Sequence, residues 1–134
     1  DPESTGDGSQ IDWIVYRYAD VLTLLSEAIV RQGNSVTQEA VDLLNQIRVR
    51  AKLSPYTMGD IKGVDDFLDK MLQERGHEFW WEGNRRADLI RHGKFIQNAI
   101  DRGSTTTKPE FVLFPLPQAV INEGKGIIIQ NPGY

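Results

Sequence analysis

Apolar residues in the first half of this chain recur at steps of three and four, and that rhythm commits the polypeptide to packed helices. From Trp13 onward, Val15, Tyr18, Ala19, Leu22, Leu25, Ser26 and Ile29 fall on one stripe, which predicts a helix of about five turns. Gly33-Asn34 closes it, because both residues tolerate left-handed backbone. A second helix follows at once. Ser35 and Gln38 stand at capping-box spacing, Glu39 suits the positive end of the helix dipole, and Ala40, Val41, Leu44, Ile47 and Ala51 form its stripe. Arg48, Arg50 and Lys52 collect at its far end, where the dipole favours cations. Two helices joined by so few residues must lie side by side and antiparallel, an αα-hairpin of the kind that tetratricopeptide arrays stack. One such hairpin is visible, without an internal sequence repeat.

Beyond it, Ser54-Pro55, Gly59-Asp60 and Gly63 mark residues 53–63 as a loop. A long third helix is expected from Val64, burying Val64, Phe67, Leu68, Met71, Leu72, Arg75 and Phe79, until Gly83-Asn84 interrupts it. A short helix from Arg85 to about Arg91 is closed by Gly93, and a weaker helical stretch covers Phe95 to Asp101. After the loop 103–109, Phe111 to Pro117 reads as extended, since each proline pushes its predecessor out of helix. The remaining tail holds a single helical turn around Ala119 to Asn122. The expected fold is mainly α: a tetratricopeptide-like αα-hairpin, a long helix, a short helix and an irregular, extended C-terminal tail. Residues 1–12 read as linker or disordered start, and 13–134 as one helical domain.

Composition narrows the function. The net charge of −4 gives no concentrated positive surface for nucleic acid. With no cysteine there is no disulfide, thiolate metal site or Cys nucleophile. The longest apolar run, Ile127-Ile128-Ile129, falls far short of the ~20 residues of a membrane span. The acidic, polar start is unlike a secretion signal and the first residue is not Met, so the chain reads as a fragment or processed product.

The densest chemistry lies between Gln73 and Gly93. His77-Glu78 begins an H-E-x-x-H zinc motif, but Trp81 stands where the second His belongs. Glu74-x-x-His77 is half of a di-iron pattern, and no second E-x-x-H occurs. No metal or other cofactor is expected. Glu74, Glu78 and Glu82, four apart on an expected helix, would all point one way, whereas glycoside hydrolysis needs carboxylates on opposite sides of a bond. An ion-pair network fits better, drawing together Glu74, Arg75, Glu78, Glu82, Arg85, Arg86, Asp88 and Arg91. Trp80 and Trp81 have two readings, packing in a core or interface and stacking on sugar rings, and a helical position beside Phe79 would turn at least one of them inward. There is no G-x-S-x-G elbow and no phosphate loop, so no catalytic residue is assigned.

These segments also carry a resemblance. Glu74-Arg75, Glu78-Phe79-Trp80-Trp81-Glu82-Gly83-Asn84-Arg85-Arg86 and Asp88-Leu89-Ile90-Arg91 resemble the "ER…EFxxEGxRxxDLxR" signature of the SusD/RagB family. Phe114-Pro115-Leu116-Pro117 resembles its "PIP" segment, and Gln130-Asn131-Pro132-Gly133-Tyr134 its "QNPGY" ending. Upstream, Tyr16-Arg17-Tyr18-Ala19-Asp20-Val21-Leu22 with Glu27-Ala28 is similar to "RYADVLLxxAEA", and Asn45 to Ala51 to "LNxIRxRA". His92, Ala87 and Glu123 to Gly126 depart from the pattern. The resemblance implies a helical, non-enzymatic receptor, lipid-anchored on the outer membrane of a Gram-negative cell, that binds oligosaccharides or other nutrients and passes them to a SusC-like TonB-dependent transporter. It also implies a longer protein, with signal and lipidated Cys in a missing N-terminal part, and sugar contacts largely in variable loops. This portion is then mainly scaffold, and faces that pack on the missing part would promote self-association. The alternative is a helical protein-interaction module without a small-molecule ligand.

Overall fold

The computed structural model describes residues 14–134; the expected linker at 1–12 and Trp13 lie outside them. The described residues form helices, turns and irregular segments with no strand, in the order α1 (Tyr18–Gly33), α2 (Gln38–Arg50), α3 (Val64–Glu78), α4 (Arg85–Arg91), α5 (Phe95–Asp101) and α6 (Gln118–Glu123). Short 3-10 turns cover Met58–Asp60 and Pro109–Val112. Two compact units result, one ending at Glu78 and the other beginning at Phe79.

In the first unit, α1 and α2 form the expected hairpin and α3 packs on both. Asn34 ends α1 in left-handed backbone at φ 44°. The helix starts later than its periodicity suggested. Arg17 is extended and serves as N-cap, and the Asp20 carboxylate accepts its backbone N–H at 3.3 Å. The buried face is also rotated from the expected stripe. Ala19, Asp20, Leu22, Thr23, Ser26, Glu27 and Val30 are buried, while Val15, Tyr18 and Leu25 are exposed. The reason is polar pairing across helices: Ser26 donates to the carbonyl of Ala40 on α2 at 2.7 Å, and the Thr23 hydroxyl accepts from Arg75 on α3. On α2 the cap is Thr37, not Ser35, with the hydroxyl accepting from the Ala40 N–H at 3.2 Å.

Val30, Ala40, Val41, Leu44, Phe67, Leu68 and Met71 make one apolar cluster, ringed by Ile29, Val36, Tyr56, Ile61 and Val64. Loop 53–63 is tied down from both sides of Asn45, whose side-chain oxygen accepts the Tyr56 N–H at 2.7 Å while its amide donates to the Tyr56 carbonyl at 2.8 Å.

In the second unit α4 packs on α5, and α5 on the 3-10 turn. That turn takes in Phe111 and Val112, so the extended run is shorter than the prolines suggested and begins at Leu113. Side chains do for this run, and for the turn that leads into it, what a neighbouring strand would otherwise do. Arg86 donates to the carbonyls of Phe111 (3.2 Å) and Val112 (3.0 Å), Tyr134 to Leu113 (2.9 Å) and Asn131 to Phe114 (2.7 Å). Gln130 brackets Leu116, accepting its N–H at 2.7 Å and donating to its carbonyl at 3.0 Å. The Arg86 guanidinium lies 3.8 Å from the ring centre of Phe114, and Tyr134 stacks on Phe111. Gly133 must be glycine twice over: its φ is +86°, and a Cβ there would sit 2.9 Å from the Glu110 side chain. No helix among the described residues is long and apolar enough to cross a membrane.

Leu44 is fully buried in the cluster, so Leu44→Ala should cost about 2–5 kcal/mol in chemical denaturation followed by helical circular dichroism. Val49→Ala, on the exposed side of the same helix, should stay within about 0.5 kcal/mol; equal losses at the two positions would contradict the assigned core.

Candidate ligand-binding site

The charged residues of the first unit are organised by where α3 meets its neighbours. Arg75, 3% exposed, donates to the Asp20 carboxylate at 3.1 Å and to the Thr23 hydroxyl on α1. One residue earlier on α3, Glu74 is paired with Arg48 of α2 and accepts the Tyr56 hydroxyl at 3.0 Å. The Arg48 guanidinium lies 3.8 Å from the centre of the Tyr56 ring, so ring, cation and carboxylate form one cluster. Burial, then the hydrogen bond to Glu74, raises the Tyr56 phenol above its usual range. At the end of α3, Glu78 takes Arg17 on one oxygen at 2.8 Å and Arg50 on the other, and Arg17 also donates to the Glu78 carbonyl at 2.9 Å.

Of the residues singled out by sequence, Glu74, Arg75 and Glu78 therefore lie together, with partners on α1 and α2. Asp88 and Arg91 pair on α4 at 2.9 Å, and Arg86 is bound to the tail as described. Two expectations need correction. The third helix ends at Glu78 and residues 79–84 are turn, so Glu82 does not share a helical face with Glu74 and Glu78; its backbone N–H instead closes a turn onto the Phe79 carbonyl at 3.1 Å. Nor does either tryptophan turn inward. Trp80 is 76% exposed and Trp81 88%, their ring centres are 6.4 Å apart and tilted by 39°, and Trp81 sits in left-handed backbone at φ 68°. A bulky residue in that region is strained, which sets the pair apart from an ordinary turn. Phe79 takes the buried position instead.

Sequence reasoning did not pair Asp20, Arg17, Arg48, Arg50 or Tyr56 with the acidic residues. The signal was present, because Arg17 and Asp20 belong to the "RYAD" segment and Arg48 and Arg50 to "IRVRA". Arg48 and Arg50 were accounted for by the helix dipole, a local effect that conceals a cross-helix one. No group of three His, Cys, Asp or Glu residues positioned to hold a metal occurs among the described residues.

A helical hairpin with a third helix locked on by buried ion pairs, followed by a unit whose tail is held by side chains, defines a scaffold of the SusD type. The family model described as the SusD family matches residues 1–134, and this chain belongs to that family. The starch-binding protein SusD of Bacteroides thetaiotaomicron is 28% identical over 140 residues, covering 99% of this chain and 23% of that protein. A SusD superfamily protein from Parabacteroides distasonis superposes with a TM-score of 0.78 at 27% identity, over 97% of this chain and 29% of the other. Surface glycan-binding protein A from B. thetaiotaomicron in complex with laminarihexaose gives a TM-score of 0.66 at 30% identity, over 89% and 24% of the two chains. This chain spans between 18% and 28% of the length of the curated relatives it matches.

Two predictions test the charged framework. Replacing one partner of the buried Arg75–Asp20 pair strands the other, so Arg75→Met should cost about 3–5 kcal/mol, and Arg75→Met with Asp20→Leu should recover part of that in denaturant titrations. A double variant as unstable as the single one would deny the pairing its role. The second concerns acid. Hydrogen bonds from Thr57 lower the Asp60 carboxyl, and those from Lys70 and Lys62 lower that of Asp66, both below 3.8. Because the folded values are depressed, their contribution is complete above pH 3.8 and fades as pH falls through the lower folded values. Asp60→Asn with Asp66→Asn should flatten the acid limb of stability against pH; an unchanged limb would count against these contacts.

Proposed function

We propose that this chain is part of a non-catalytic receptor that captures oligosaccharides at the cell surface and hands them to a TonB-dependent outer-membrane transporter. Most of the chain serves as scaffold in this reading, and Trp80 and Trp81 are its sugar-contacting side chains. The receptor would be lipid-anchored through a part of a longer polypeptide that this chain does not include. Relatives named for binding starch and glycans support the ligand class. The observation that carries the reading is the adjacent, tilted and exposed tryptophan pair, since apolar ring faces left in water are well matched to the C–H faces of sugars. A hydrolase is disfavoured by geometry: Glu78 is held by two guanidinium groups and Glu74 by one, which suits neither to proton transfer with a substrate.

The test is calorimetric titration of the chain with maltohexaose and laminarihexaose, alongside Trp80→Ala and Trp81→Ala. Each substitution should weaken binding by about fivefold to tenfold, as expected for a stacked aromatic contact worth about 1–1.4 kcal/mol, and no reducing ends should be released. Binding indifferent to both substitutions would remove the assignment. Absence of binding to any glycan would favour the helical protein-docking module.

A further inference from the structure

Three depressions in the first unit share one residue, Arg50. The middle one, about 320 Å³, is lined by Arg17 and Tyr18 from the start of α1, Gln46 and Arg50 from α2, and Glu78 from the end of α3. On one side it adjoins a groove that includes Asn45 and Gln46, and on the other a smaller hollow that includes His77. The middle volume lies at the lower end of the roughly 300–1,000 Å³ usual for small-ligand sites. Its lining has the makings of a sugar subsite: an exposed aromatic ring in Tyr18, an exposed amide in Gln46 and a planar, two-thirds exposed guanidinium in Arg50.

The charge arrangement is specific. Glu78, its side chain 4% exposed, already has Arg17 on one oxygen and on its own carbonyl. Arg50 is a second cation on the same carboxylate, meeting it through Nη2 alone. One buried carboxylate thus faces two guanidinium groups, and the outer of these presents the rest of its fork at the pocket mouth. A planar fork with donors to spare matches a carboxylate in two-point geometry better than it matches a hydroxyl.

We propose that the Arg50 pocket is a subsite for a carboxylate-bearing sugar, a hexuronate unit within an oligosaccharide, with Arg50 engaging the carboxylate, Tyr18 the ring face and Gln46 the hydroxyls. This deepens the proposed glycan-binding role and rests on it, but uses residues other than the tryptophan pair.

The experiment is calorimetric titration of the chain with a galacturonate hexamer and with maltohexaose, at low and at raised salt. The acidic oligomer should bind about tenfold more tightly or better, the worth of one charge-assisted hydrogen-bonding contact, and the difference should shrink with salt because the guanidinium is exposed. Arg50→Gln should abolish the preference, and Arg50→Lys should retain part of it. Gln46→Ala, at an exposed position with the charge pairs untouched, should weaken acidic binding even if Arg50→Gln compromises helicity. Equal affinity for the two oligomers, or an acid preference that survives Arg50→Gln, overturns the subsite. Neutral binding that depends on Trp80 without any acid preference overturns the subsite alone, whereas binding of neither oligomer overturns both the subsite and the glycan-binding role.

Discussion

A guanidinium that is 3% exposed has to be neutralised where it lies, and the arrangement of the first unit follows from how Arg75 meets that requirement. Its partners, Asp20 and Thr23, sit on the buried face of α1, so α3 packs only in the register and rotation that bring them together. Apolar packing alone would allow α1 to roll by a residue, because Tyr18 and Leu25 offer a competing stripe. The ion pair removes that freedom, at a desolvation cost that apolar residues would not incur. The adjoining pairs, Arg48 with Glu74 and both Arg17 and Arg50 with Glu78, repeat the device along α3 and tie it to both helices of the hairpin.

The second unit answers a different need. A run with prolines at 115 and 117 cannot complete a hydrogen-bonded ladder, yet its carbonyls still need donors. Gln130, Asn131 and Tyr134 supply them, as Arg86 does for the turn before the run, which gives the "QNPGY" ending a physical purpose: almost every one of its residues either bonds this run or, as with Gly133, makes room for the approach. Motifs distant in sequence are thereby two halves of one clamp.

Much of this was legible beforehand. The hairpin, α4 and α5 were bounded by apolar period and by Gly and Asn stops, because backbone geometry and local burial act over a few residues. The family followed from five short segments, whose residue types are fixed by contacts. What local rules missed were alternatives of nearly equal local merit: where α1 begins, whether Ser35 or Thr37 caps α2, and whether the third helix continues past Glu78. In the last case Phe79 is the buried apolar side chain, and Trp81 takes a left-handed backbone that no propensity would assign to it.

By itself, then, the sequence determined a helical chain of this family, with no metal motif complete and with acidic and basic residues placed to pair. Which acid meets which base was decided only by the tertiary structure. Pairing partners such as Arg75 and Asp20 are separated by 55 residues that include the whole of α2, and the choice among them turns on helix rotation and desolvation, which depend on the whole packed unit. Exposure of the two tryptophans was settled the same way, since it depends on where a helix stops, and that stop is set by contacts beyond the reach of local sequence.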